Sequence, residues 1–167
     1  MVKNLNFRTL CKDIKFVISD VDGVLTDGCM YYSDKGEIMK KFHTHDGMGV
    51  ELLSKNNIHT ILMTKEKSNI VKKRASKIKA KEIFMGVLEK EKLFEHLCIK
   101  YSLKSKNIAY IGDDVNDLKI IKLVGFSASP NNGIDEVKKK VQYICKKNGG
   151  DGAFREFADL IINNKFN

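Results

Sequence analysis

The sequence predicts an α/β protein in which helices cover both faces of a parallel sheet, so that the fold has three layers, α/β/α. Short apolar runs alternate with segments of helical periodicity along the 167 residues, which is the pattern of strands joined through helices. Hydrophobic residues make up 43% of the chain and charged residues 31%, as in a globular protein with its own core. Because the chain shows no internal repeat or linker, residues 1–167 are expected to form a single domain.

Six strands and six helices are predicted in alternation. Each strand is a short run of mainly apolar residues, such as HTILMT, whereas each helix is a longer segment with apolar residues three or four apart. The strands are residues 15–19, 59–64, 82–84, 107–111, 125–128 and 141–144. The helices are residues 47–56, 67–78, 89–101, 115–123, 134–140 and 152–163. Residues 1–13 precede the first strand as an N-terminal extension.

Residues 29–42 interrupt this alternation. Their sequence, CMYYSDKGEIMKKF, reads as two strands around a turn at residues 33–36 and therefore predicts a β-hairpin. Met30, Tyr32, Ile38 and Phe42 make the hairpin too apolar for a free, solvated edge. We expect it to pair with copies of itself in a homo-oligomer; the alternative is that it packs on its own domain.

Charged and hydroxyl side chains follow several of the predicted strands. In an open α/β sheet, ligands bind at the carboxyl ends of the strands, so these side chains are expected on one rim. They are Asp20 and Asp22 after the first strand, Thr64 at the end of the second, Lys90 at the start of a helix, and Asp113, Asp114 and Asp117 in the segment GDDVND.

This combination suits phosphoryl transfer. A hard divalent cation, with Mg²⁺ the natural choice, offsets the repulsion between carboxylates and a phosphate dianion. One carboxylate could attack phosphorus, and a second could protonate the leaving alkoxide and later activate water. The alternative for each piece alone is structural, since Asp and Gly are turn residues and Asp caps helices well.

The segments DVDGVLTDG and GDDVND, together with Thr64 and Lys90, resemble the four motifs of the haloacid dehalogenase phosphatase superfamily. The resemblance implies a Rossmann-like core in which Asp20 is the nucleophile and Asp22 the acid/base. It also implies that Asp20, the backbone carbonyl of Asp22 and the Asp113 carboxylate bind Mg²⁺. Thr64 would contact a phosphoryl oxygen, and Lys90 would neutralise developing charge.

The same resemblance implies supporting roles for Asp114 and Asp117, which would stabilise the metal site or hold Lys90. Relatives usually carry a cap domain between the first and second motifs or between the second and third. Here those intervals hold only the hairpin with one helix, and a helix with a short strand, so no cap domain is expected.

The missing cap, the hairpin and the tail KNGGDGAFREF are together similar to the phosphatases of 3-deoxy-2-ulosonic acid phosphates. That subfamily includes Kdo 8-phosphate phosphatases and relatives that act on nine-carbon sugar acids. The resemblance implies a homotetramer in which a neighbouring subunit covers the active site.

A helix starting near Glu66 would place Arg74 and Lys77 on the same side as Glu66, beside an apolar stripe. One interpretation is a solvated face with ion pairs inside the helix; the other is a grip on a sugar carboxylate. The pattern is similar to nine-carbon (KDN or N-acylneuraminate) 9-phosphate phosphatases, so that substrate is predicted first and Kdo 8-phosphate second. Lys65 departs from the Gly that commonly follows the second-motif Thr.

Two other functional classes remain open on the sequence. The fold could serve as a non-catalytic oligomerisation module for a CMP-sugar synthetase, although the catalytic residues are all present. The net charge of +9 could attract nucleic acid, but an anionic small substrate fits it equally well, so no nucleic-acid partner is predicted. No apolar run approaches the roughly 18 residues of a membrane span, and MVKNLNFRTLCKD lacks a secretory signal, which predicts a cytoplasmic protein.

Overall fold

A computed structural model describes residues 6–166, and its centre is a six-stranded parallel sheet. The strands are β1 (Phe16–Ser19), β2 (Tyr31–Ser33), β3 (Gly36–Met39), β4 (His59–Thr64), β5 (Glu82–Met85), β6 (Ile108–Ile111), β7 (Phe126–Ser129) and β8 (Tyr143–Ile144). Neighbouring strands of the sheet follow the order β5-β4-β1-β6-β7-β8 and all pair in parallel. The predicted α/β class is therefore confirmed.

Seven α-helices accompany the strands in the described part of the chain. They are α1 (Phe7–Cys11), α2 (Thr44–Lys55), α3 (Asn69–Lys77), α4 (Lys90–Lys100), α5 (Leu118–Ile121), α6 (Asp135–Lys138) and α7 (Ala153–Phe166). None of the helices in residues 6–166 combines the length and the apolar character that crossing a bilayer requires.

The central strand β1 is buried on both sides, as expected for a parallel sheet covered by helices. Val17 packs in one apolar layer with residues of α2, α3 and α7, whereas Phe16 and Ile18 pack in the opposite layer with residues of α4 and α5. Because successive side chains of a strand point to opposite faces, one strand supplies both cores. This burial fixes the carboxyl end of β1, where Asp20 lies.

Two predicted helices differ from the observed ones in how they are divided or where they begin, and one observed helix was not predicted. Residues 115–123 split into a 3-10 turn, Val115–Asp117, and the short α5, because the Asp117 backbone N–H bonds back to the Asp114 carbonyl. The helix predicted from residue 67 begins at Asn69, since Ser68 caps it and accepts a bond from the Val71 N–H at 3.5 Å. Helix α1 lies within the predicted extension, whose residues 1–5 fall outside the described range.

The predicted hairpin is present as the antiparallel pair β2–β3. A bridge between Thr26 and Phe42 ties its base to the loop that follows β1, and Phe42 packs on the core. Met30, Tyr32 and Ile38 are each more than half exposed. Along the described chain only the hairpin and α2 separate β1 from β4, and only α3 separates β4 from β5. The intervals that hold cap domains in relatives are therefore short, as predicted.

Candidate active site

The loop after β1 holds Asp20 at the carboxyl end of the central strand. The Asp20 N–H donates to the Ile111 carbonyl at the end of β6, and the Val21 N–H donates to Asp20 Oδ1 at 2.8 Å. Gly23 has φ of +88°, and a Cβ there would overlap the Asp113 carboxylate. The chain thus needs glycine at this position both for its backbone angle and for the approach of the second acidic loop.

A buried lysine joins the two acidic loops. Lys90, at the start of α4, is only 1% exposed, and its ammonium lies 2.5 Å from Asp117 Oδ1 and 3.1 Å from Asp20 Oδ1. The Tyr110 hydroxyl donates to the same Asp117 oxygen at 2.6 Å. The other oxygen of Asp117 accepts from the backbone N–H groups of Asp113 and Asp114, at 2.9 and 3.4 Å. Asp117 is therefore fully engaged in holding Lys90 and shaping the loop.

Three carboxylates converge at this point. Oxygens of Asp20, Asp113 and Asp117 lie within 4.8 Å of one another. Asp113 Oδ1 is buried and has no hydrogen-bond partner among the described residues, although a buried oxygen normally has one. Since Asp117 is occupied by Lys90 and Tyr110, the oxygens left for a ligand belong to Asp20 and Asp113. Hard oxygen donors of this kind fit a divalent cation such as Mg²⁺.

The pKa shifts of Asp20 and Asp113 also favour a bound cation at this position. Burial, reinforced by the nearby Asp117 charge, raises the pKa of Asp20 well above its usual value, and Lys90 only partly opposes this. Burial, with Asp117 and Asp114, raises the pKa of Asp113 to about 7. Both shifts express the cost of placing several negative charges out of water, and a bound cation removes that cost.

Asp22 is held from two sides. The Thr64 hydroxyl donates to Asp22 Oδ2 at 3.2 Å, and the Lys40 ammonium lies 2.6 Å from Asp22 Oδ1. Lys40 follows β3 of the hairpin and also pairs with Glu37, at 2.8 Å. Lys40 and Glu37 are not among the predicted site residues, because a lysine or glutamate in a hairpin carries no local signal of a contact such as that of Lys40 with Asp22, 18 residues away. The bridge at the hairpin base and the bond from the Ser68 hydroxyl to Glu37 bring them to the site.

A cavity of about 220 Å³ opens above these groups. Six of the predicted site residues line it: Asp20, Asp22, Thr64, Glu66, Asp113 and Asp114. The other lining residues are Gly28, Lys65 and Asn116. Lys90 and Asp117 are buried and do not line the cavity, but Lys90 contacts Asp20 and Asp117 accepts from the Asp113 N–H. Lys65 is exposed and lines the cavity, so it adds a cation to the cavity wall.

The predicted grouping of Glu66 with Arg74 and Lys77 on one helix is wrong. Glu66 lies in the turn before α3, with its N–H donating to Thr64 Oγ1, so helical spacing does not apply to it. Arg74 and Lys77 line a separate cavity between α2 and α3. There Arg74 donates to the His43 carbonyl at 2.9 Å and stacks over the Phe42 ring.

A larger cavity, of about 600 Å³, lies between the start of α2 and α7. Arg155 pairs with Asp159 there, and Glu156 accepts from the Tyr143 hydroxyl and from backbone N–H groups. None of the carboxylates at the carboxyl ends of β1 and β6 lines it. Size alone is therefore a poor guide to the site here.

Comparison with known proteins identifies the family of this arrangement. Residues 52–157 match the family of haloacid dehalogenase-like hydrolases. The 3-deoxy-D-manno-octulosonate 8-phosphate phosphatase KdsC of Haemophilus influenzae is 38% identical over 151 residues, which cover 90% of this chain and 84% of that protein.

Solved structures give the same result. The structure of the 3-deoxy-D-manno-octulosonate 8-phosphate phosphatase from Moraxella catarrhalis, in complex with magnesium, phosphate and KDO, matches with a TM-score of 0.92 and 34% identity, covering 95% of this chain and 91% of that one. The cobalt-bound phosphatase from Haemophilus influenzae matches with a TM-score of 0.90 and 37% identity, covering 93% of this chain and 91% of that one.

Proposed function

This chain belongs to the haloacid dehalogenase-like hydrolases, and we propose that it hydrolyses Kdo 8-phosphate through a phosphorylated Asp20. It is a phosphomonoesterase that uses Mg²⁺ and acts on a sugar-acid phosphate. The observation that carries the proposed mechanism is the convergence of Asp20 and Asp113 in a small cavity that Asp22 and Thr64 also line, with the Lys90 ammonium in contact with Asp20.

The choice of substrate follows the relatives rather than the sequence pattern. The relatives and solved structures reported above are named for the eight-carbon Kdo 8-phosphate. The nine-carbon 9-phosphate remains a second candidate because Glu66 lines the cavity, where it could accept from a substrate hydroxyl or amide. Arg74 and Lys77 lend it no support within one chain, since they line a different cavity.

In the proposed mechanism Asp20 attacks phosphorus while the bond to the sugar oxygen breaks. Asp22 gives its proton to the leaving oxygen and later takes one from the attacking water. Thr64 donates to a phosphoryl oxygen, and Lys90, held by Asp117, balances charge on Asp20 and the phosphoryl group. Bound at Asp20, Asp113 and the Asp22 backbone carbonyl, Mg²⁺ would neutralise charge on the phosphoryl oxygens. Asp114 would support this metal site from the cavity wall.

We further propose that the protein works as a homotetramer in which a neighbouring subunit covers the site. The cavity of about 220 Å³ is smaller than the roughly 300–1,000 Å³ of a typical small-molecule site. Met30, Tyr32, Ile38 and Met39 expose apolar surface on the hairpin, and a second copy would bury it.

Residues 1–167 are taken as one domain, which the packing of Phe7 and Leu10 of α1 on the core supports.

The experiment is phosphate release, with and without Mg²⁺, from Kdo 8-phosphate, KDN 9-phosphate and N-acetylneuraminate 9-phosphate. Asp20→Asn, which keeps the shape of the side chain but removes the nucleophile, is the control. We expect selective turnover of Kdo 8-phosphate that is abolished in the control. Preference for a nine-carbon member would transfer the proposal to that substrate, and no turnover of any member would favour the non-catalytic oligomerisation module.

A further inference from the structure

Lys40 is an unusual lysine because it is charged, close to the site and almost completely covered. Its side chain is 3% exposed, and its ammonium contacts Asp22 Oδ1 at 2.6 Å and Glu37 Oε1 at 2.8 Å. It does not line the catalytic cavity. Lys40 therefore reaches the reacting groups only through Asp22.

Glu37, the second ion-pair partner of Lys40, is itself held in place. The second oxygen of Glu37 accepts a bond from the Ser68 hydroxyl at 2.5 Å, and Ser68 is also the cap of α3. The Thr26–Phe42 bridge closes the base of the hairpin next to Lys40. A chain of contacts thus runs from the start of α3 through Glu37 and Lys40 to the catalytic loop.

The effect on Asp22 is to restrain both carboxylate oxygens. Lys40 holds Oδ1, and the Thr64 hydroxyl holds Oδ2 at 3.2 Å. Ion pairs and charge-assisted hydrogen bonds are the strong restraints available to a carboxylate. With Lys40 absent, the partly exposed Asp22 side chain would keep only the longer bond to Thr64.

We propose that Lys40 is a positioning residue that sets the orientation of Asp22 for proton delivery to the leaving group. The inference rests on the proposed function, in which Asp22 is the acid. In that step the Asp20 oxygen forms a bond to phosphorus and the bond to the sugar oxygen breaks. The electron pair of that bond takes the proton that Asp22 carries on Oδ2, since the Lys40 ammonium occupies Oδ1. Lys40 keeps its own proton throughout, and Glu37 offsets its charge.

The proposal makes the hairpin part of its own chain's catalytic apparatus as well as a surface for assembly. The exposed side chains of β2 and β3 face away, whereas Glu37 and Lys40 point to the site. Positioning of this kind matters because a small displacement of a reacting group lowers the rate strongly.

The test is the dependence of kcat/KM on the leaving group in purified Lys40→Met, compared with the unchanged protein. The substrates are Kdo 8-phosphate, whose alkoxide needs a proton, and p-nitrophenyl phosphate, whose phenolate leaves without one. We expect a loss of about 30-fold on the sugar phosphate and of about 3-fold or less on the aryl phosphate, since a positioned acid contributes roughly 10²–10⁴-fold. Lys40→Arg, which keeps the charge, should recover part of the loss.

Lys41→Met is the matched control, because Lys41 is the exposed neighbour on the same segment, and it should leave both rates unchanged. Glu37→Gln keeps Lys40 but weakens its anchor, and should give a smaller loss with the same preference for the sugar phosphate. It also provides the test if Lys40→Met fails to fold, as judged by thermal unfolding.

Equal losses on the two substrates, in Lys40→Met or Glu37→Gln, would overturn the inference and leave the phosphatase proposal intact. Unchanged rates in both variants would do the same. A lack of turnover by the unchanged protein on either substrate would remove the proposed function and this inference together.

Discussion

Replacement of Asp46 by Asn is expected to make the protein more stable at neutral pH. Asp46 lies in the first turn of α2 and is 1% exposed, and its Oδ1 accepts from the Arg155 N–H in the first turn of α7 at 2.9 Å. Its Oδ2 is buried without a hydrogen-bond partner among the described residues. Asn keeps the acceptor for Arg155 and removes the charge.

Burial raises the pKa of Asp46 from 3.8 to about 6, although the bond from Arg155 opposes the shift. At about 1.4 kcal/mol per pKa unit, the ionised form costs roughly 3 kcal/mol of folding free energy. Between pH 3.8 and about 6 the folded chain binds this proton and the unfolded chain does not, so stability falls as pH rises through that window. The cost is complete above about pH 6 and absent below about pH 4. The Asp46→Asn variant therefore gains about 1–3 kcal/mol at about pH 8 and little at about pH 4.

The assay is urea unfolding of both proteins at a series of pH values from about 4 to about 8, because the difference between them cancels the other titrating groups. Glu51→Gln, which changes an exposed carboxylate on the same helix, is the control and should show no comparable trend. A stability difference that is independent of pH, or a variant less stable than the original at the alkaline end of the series, would refute the reasoning.

Three further outcomes are expected. Asp117→Asn should destabilise the protein by about 3 kcal/mol and lower turnover at least about 100-fold. In either orientation the amide N–H₂ would face a donor, and buried Lys90 would lose a negatively charged partner. Urea unfolding and phosphate release measure the two effects, and near-normal values would contradict the role of Asp117. Gly23→Ala should reduce Mg²⁺-dependent turnover, because the new methyl overlaps Asp113 and the φ of +88° strains alanine; unchanged turnover would contradict the close approach of the loops. Ile38→Lys should lower the assembly mass in analytical ultracentrifugation, and an unchanged mass would place the interface elsewhere.

Most of the strand ends, and with them the rim of the site, could be predicted from the sequence. Short apolar runs that end in Asp or Thr place Asp20 and Thr64 at the carboxyl ends of β1 and β4. The six strands of the parallel sheet are found close to their predicted bounds. This succeeds because a strand buried on both faces leaves a continuous apolar run that local reasoning can detect.

The ends of helices and the contacts between segments distant in sequence are harder to predict from the sequence. The start of α3 was misplaced because Glu66 and Lys67 are good helix formers, whereas the bond from the Glu66 N–H to Thr64 holds this segment in a turn. The contact of Lys40 with Asp22 depends on how the hairpin folds back at the Thr26–Phe42 bridge. Neither the turn at Glu66 nor the contact of Lys40 with Asp22 produces a periodic pattern in the sequence.

The sequence by itself determined the α/β class, the order of the elements and which carboxylates meet at one edge of the sheet, because hydrophobic periodicity and chain direction are local properties. Only the tertiary structure decided which carboxylates form ion pairs with which lysines. It pairs Lys90 with Asp20 and Asp117, pairs Lys40 with Asp22 and Glu37, and bonds Arg74 to the His43 carbonyl in a different cavity. Ion pairing depends on distances of a few ångströms between segments remote in sequence, and packing alone sets those distances.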